Sequence, residues 1–147
     1  MKSSVIYSAV IATALLGSAT AFAAEDAGAR FTATLDGASE VTAQGGDPDG
    51  MGTATIRVNP GRNQVCFSIS VTGISTATVT HIHKGAAGIS GPVVVDLVAP
   101  VNGISQGCTA MVNRELAKEI IQNPADYYVN VHSTEFRAGA VRGQLGR

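Results

Sequence analysis

Hydrophobic and polar residues alternate along most of this chain, and the alternation divides it into strands. Phe31, Ala33 and Leu35 alternate with Thr32 and Thr34, and Ala54, Ile56 and Val58 mark a second strand that Asn59-Pro60-Gly61 turns. Val65, Phe67, Ile69 and Val71 give the cleanest two-residue period, with Cys66, Ser68, Ser70 and Thr72 on the other face. Residues 77–83 and 93–98 are further strands rich in β-branched residues, separated by the glycine-rich turn 84–92 (KGAAGISGP). Residues 127–132 and 138–145 complete a set of about seven. One helix interrupts them near residues 114–122: Asn113 is placed to cap it, Glu115 suits the first turn, and Leu116, Ala117, Ile120 and Ile121 form one apolar stripe before Asn123-Pro124 stops it. Seven short strands with one crossover helix predict an all-β, antiparallel Greek-key sandwich, with the helix plugging an end or lying along an open edge.

The first 23 residues stand apart from that pattern. Met1-Lys2 opens with a positive charge, residues 5–19 are almost continuously apolar, and Ala21-Phe22-Ala23 has the small-x-small form of a cleavage site. The chain is therefore divided into a secretory signal peptide at 1–23, a short extension at 24–30 and one domain at 31–147. A membrane anchor is the competing reading of the leader, but its apolar run is shorter than the roughly 20 residues that cross a bilayer. The expected destination is the periplasm or the medium, with no membrane anchor. Ten Lys+Arg against eleven Asp+Glu give a net charge of −1. Loss of Lys2 with the leader makes it −2, which leaves no basic field for nucleic acid. Cys66 and Cys108, 42 positions apart, read most simply as one disulfide in an oxidising compartment, with two buried thiols as the alternative. Cys108 is placed in a Gly-Cys-Thr loop before the helix, so the bond is expected to tie the crossover to the sheet.

The chain's three histidines are the candidate chemistry. His81 and His83 are two apart in a strand and leave the same face, and His132 ends another strand that a sandwich can bring alongside. Three imidazoles at such positions can share one metal at about 2.0–2.1 Å per bond and leave a coordination position open. The alternative is that they are ordinary strand-edge side chains. Tyr128 and Asn130 share the face of His132 and can orient a ligand ring; Tyr127, Val129 and Val131 belong to the core. Glu135 and Arg142 are weak catalytic candidates, Glu135 as a ligand, an orienting group or a turn cap, and Arg142 as a guide for a small anion or an ordinary surface arginine. Asp96 is read as facing outward with Val94 and Val98. The glycine-rich turn lacks the setting of a phosphate-binding loop, no Gly-x-Ser-x-Gly elbow occurs, and Asp47 and Asp49 fall short of a calcium cage.

Two blocks, HIHKGAAGISGPVVVDL at 81–97 and YYVNVHSTEFRAGAVRGQL at 127–145, together with the opening FTATLDGASEV, resemble the chordin-type or CHRD domain of secreted proteins. Thr42 replaces the proline that often follows that opening valine. The resemblance implies an immunoglobulin-like or superoxide-dismutase-like β-sandwich. A looser similarity to copper/zinc superoxide dismutases lies in the H-x-H strand and the late V-H, with the fourth imidazole of that pattern missing. Two function classes follow. One is a secreted or periplasmic metal-binding domain holding copper through His81, His83 and His132, with superoxide or other redox chemistry open and zinc or iron compatible with the same donors. The other is a non-enzymatic extracellular module without a metal, whose partner is an extracytoplasmic protein.

Overall fold

The computed structural model describes residues 28–110 and 112–147. The signal-peptide reading of residues 1–23 lies outside the described residues. The elements are β1 (Ala29–Asp36), β2 (Met51–Asn59), β3 (Gln64–Thr72), β4 (Ala77–Lys84), β5 (Val93–Leu97), β6 (Ile104–Ala110), the helix α1 (Arg114–Gln122), β7 (Tyr127–Ser133) and β8 (Val141–Gln144). Among the described residues there are thus eight strands where the residue pattern predicts about seven. They form one antiparallel sheet in the order β5-β4-β7-β8-β1-β2-β3-β6, wrapped around one core and nearly closed. The all-β class is as expected.

The unpredicted strand is β6. Its residues invert the usual pattern, with Ile104 68 % exposed, Ser105 buried and Gly107 in the middle, so hydrophobic periodicity does not reveal it. It pairs with β3 along its whole length, from Gln64 opposite Ala110 to Ser70 opposite Ile104. Cys66 and Cys108 face one another in this register and are joined as a disulfide. The bond therefore fastens an edge strand to its neighbour, not the crossover to the sheet, which corrects the expected placement of Cys108 in a loop.

The core draws on both halves of the sheet: Phe31, Ile56, Val65 and Ile69 pack in one cluster with Ile82, Val129, Val131 and Val141. Ala117 and Ile120 of α1 are fully buried against it. Asn113 caps that helix as its sequence predicts, accepting the Glu115 and Leu116 N–H groups at 2.8 and 3.3 Å, which satisfies donors that the first turn leaves without partners.

Candidate metal centre

The site occupies the face of β4, β7 and β8 that points away from the core. Register sets its rows. His81 stands opposite Asn130 and Asn130 opposite Arg142; one row on, His83 stands opposite Tyr128 and Tyr128 opposite Gln144. Val79 pairs with His132 after a bulge in β4, which sets His132 diagonally beside His81. On an open sheet this face would be wet. Here the turn 84–92 is pinned over it: the Gly91 N–H donates to Tyr128 Oη at 3.2 Å, Gln144 Nε2 to the Gly85 carbonyl at 2.9 Å, and Arg142 Nη2 to the Ala86 carbonyl at 2.9 Å. Gly91 has no substitute, since a Cβ there would collide with the Lys84 carbonyl.

The three imidazoles converge. Ring centroids lie 5.4 Å apart for His81 and His83 and 5.2 Å for His81 and His132, and one ring nitrogen from each lies within 4.8 Å of the others. Two of the rings are held by backbone carbonyls: His83 Nδ1 lies 2.8 Å from the Gly91 oxygen and His132 Nδ1 2.8 Å from the Arg137 oxygen. A carbonyl can only accept, so both Nδ1 atoms carry a proton, and each ring in its neutral form presents an Nε2 lone pair. His83 Nε2, His132 Nε2 and His81 Nδ1 are all buried and without hydrogen-bond partners. Two nitrogens on one tetrahedral ion stand about 3.4 Å apart, so small ring rotations close the set.

Burial disfavours the charged form of two of these donors, His81 and His132. Burial, then the charges of His132 and His83, hold the His81 imidazole below the usual histidine range, and exposed Asp96, 3.7 Å from its Nε2, only partly offsets this. Burial also lowers His132, against the pull of the Arg137 carbonyl. A neutral ring is the form that binds a metal.

Three layers stack beside the donors. The His83 ring lies parallel to Tyr128, with centroids 4.8 Å apart and planes 7° apart, and the Arg142 guanidinium sits 3.3 Å from the Tyr128 centroid. Arg142 is 2 % exposed and spends donors on Ala86 and Gln144, so it is not the surface arginine of one sequence reading. Asn130 is buried beside it. Glu135 is exposed, its backbone N–H donates to Ser75 Oγ at 3.1 Å, and its carboxylate is not among the groups gathered with the histidines. Asp47 Oδ1 accepts the Asp49 N–H at 3.2 Å within its own turn.

One residue that the sequence did not single out is Glu40. The loop after β1 folds its carboxyl against the α-carbon of Gly139, where any side chain would collide with it. Its Oε1 is buried without a partner. Burial raises its pKa to about 7, against the Arg142 charge, the Asn130 amide and the Val41 backbone. No local motif announces it; the one clue is a glutamate in a loop whose fold partner lies a hundred residues later.

A family model described as the CHRD domain matches residues 31–145. The chain belongs to the CHRD family. The match spans both histidine blocks, so the histidine face is part of the CHRD domain and not an appendage to it. None of the curated proteins matches the chain. The disulfide, and the absence of a helix long and apolar enough to cross a membrane among the described residues, agree with the extracellular setting of CHRD domains.

Proposed function

We propose that this CHRD domain is an extracytoplasmic metal-binding module that takes copper through His81 Nδ1, His83 Nε2 and His132 Nε2. The observation that carries the reading is the convergence of three buried nitrogen lone pairs, none with a hydrogen-bond partner. Leaving one buried polar atom unpaired costs about 1–3 kcal/mol, and one shared cation removes all three penalties together. Imidazole donors favour copper among the divalent first-row ions, with zinc and iron as weaker claimants on the same set. Bound copper would supply one-electron chemistry, and superoxide is a substrate compatible with an open position. The protein's own part is to fix two tautomers through Gly91 and Arg137, hold the His83 ring against Tyr128, and disfavour protonation of His81 and His132 by burial.

A second reading is a metal-free docking module. It is favoured by Val79 and Val93, 44 % and 46 % exposed in register with His132 and His83. Metal analysis of untagged protein exported through its own leader decides between them. One equivalent of copper with imidazole nitrogen couplings is expected. Loss of a residue that merely orients a ligand costs about 10–100-fold in affinity, so His83→Ala and His132→Ala should each exceed 100-fold. Stoichiometric copper in the His81/His83/His132 triple alanine variant refutes the site. Intact binding without dismutase activity leaves a binding or storage role.

A further inference from the structure

The half of the sheet that lacks histidines carries a second concentration of charge. Arg30 on β1 stands directly opposite Arg57 on β2, and Arg57 directly opposite Cys66 on β3. Arg62 follows in the short 3-10 turn between β2 and β3. All three arginines line one groove of about 340 Å³, together with Asn59, Gln64 and Cys66. Like charges placed opposite each other across a strand pair destabilise the sheet. Among the described residues no carboxylate lies within ion-pair distance of any of the three. General basicity does not explain this, because the chain as a whole is slightly acidic.

We propose that this groove binds a phosphate group. Three guanidinium groups supply more charge than one carboxylate neutralises, and their planar forks match the oxygens of a tetrahedral dianion. Amide donors complete the lining. Asn59 Oδ1 is already taken by the Arg62 N–H at 2.9 Å, which leaves the Asn59 Nδ2 donor to a ligand. The groove adjoins a smaller hollow of about 130 Å³ lined by Thr55 and Ser68 among others, with Arg57 and Cys66 common to both. That hollow gives room for whatever the phosphate is esterified to. The phosphate is thus either the free anion or the phosphomonoester of a lipid headgroup, and the two sources share the same recognition.

The test uses chelator-treated protein, so that a metal at the histidines cannot hold the anion. Inorganic phosphate is titrated by calorimetry in chloride buffer, and sedimentation is measured with phosphatidylcholine vesicles with and without phosphatidic acid. Binding of either probe is expected to weaken about tenfold or more in Arg57→Gln and in Arg30→Gln, to survive His81→Ala, and to fall with added salt. Arg57→Gln also relieves the repulsion with Arg30, so it should melt no lower than the parent while binding less. Binding to vesicles alone assigns the headgroup, and binding to both probes assigns the free anion as sufficient. Binding to neither probe, or binding equal in parent and Arg57→Gln, overturns the proposal. Binding lost in His81→Ala but kept in Arg57→Gln moves the anion to the histidine face and overturns it too.

Discussion

Replacing Glu40 with glutamine should make the domain more stable above neutral pH and leave it unchanged in mild acid. Glu40 is folded against Gly139 with Oε1 unpartnered, and burial raises its carboxyl from 4.5 to about 7. The folded protein therefore holds a proton that the unfolded chain releases near 4.5. Between these two values the unfolded state binds fewer protons, so stability falls as pH rises from about 4.5 to about 7 and stays low above it. At about 1.4 kcal/mol per unit the ceiling is about 3.5 kcal/mol, and because the carboxyl is only partly withdrawn from water we take about 2 kcal/mol. Glutamine keeps the shape and cannot ionise. His81 and His132 act in the opposite direction, since lowered imidazoles add stability as pH rises towards the ordinary histidine value, but they do so in both proteins and cancel in the difference. Urea unfolding with a chelator present, at about pH 4, 6 and 8, measures it. Equal stability at about pH 4 and a gain of about 2 kcal/mol for Glu40→Gln at about pH 8 are expected. A variant no more stable than the parent at pH 8, or a difference that does not change with pH, refutes the reasoning. The first outcome would mean that the carboxylate's attraction to Arg142 outweighs its burial.

Two other predictions concern the staple and the donors. Replacing Cys66 and Cys108 by serine should cost about 3–4 kcal/mol on the chain-entropy account of a 42-residue loop, and hydrogen exchange should quicken first in β6; faster exchange in α1 with β6 still protected would contradict the register. Because burial lowers His81 and His132, copper affinity measured by competition should hold steady from about pH 8 down to about 6.5 and decline only below it. A several-fold loss already reached at about pH 6.5 would show that His81 and His132 titrate as free imidazoles.

The elements that sequence reading found are those in which local pattern and tertiary burial agree. β3 reads as a strand because Val65, Phe67, Ile69 and Val71 alternate and are all buried, and α1 is bounded by a capping Asn113 that captures two N–H groups. β6 fails that test. Its ordering comes from a neighbour and a disulfide, while its largest apolar side chain points to solvent. Its glycine does pack: Gly107 lies opposite Phe67, and a Cβ there would stand 3.3 Å from the ring. A strand specified by what its partner needs leaves no periodic trace of its own.

The site shows the same division between what neighbours in sequence can encode and what only the fold supplies. Strand parity places His81 with His83, and Tyr128 and Asn130 with His132, because a two-residue period is local. That this face is buried is not local, since its cover comes from the loop after β1 and the turn 84–92. Those segments bring Glu40, the Gly91 carbonyl and the Ala86 carbonyl over β4, β7 and β8. Covering a polar face costs stability unless its groups find partners. Most of them do: Arg142, Gln144 and two imidazole N–H groups all reach backbone carbonyls. The atoms left over on this face are the three ring nitrogens, Glu40 Oε1 and Asn130 Oδ1. A sheet with Val and Thr at these positions would have escaped that cost. All five of the atoms left over carry lone pairs, three of them on imidazole rings of which two are oriented by backbone carbonyls; that is the pattern on which the proposed cation site rests, since a cation accepts lone pairs and a hydrophobic partner does not.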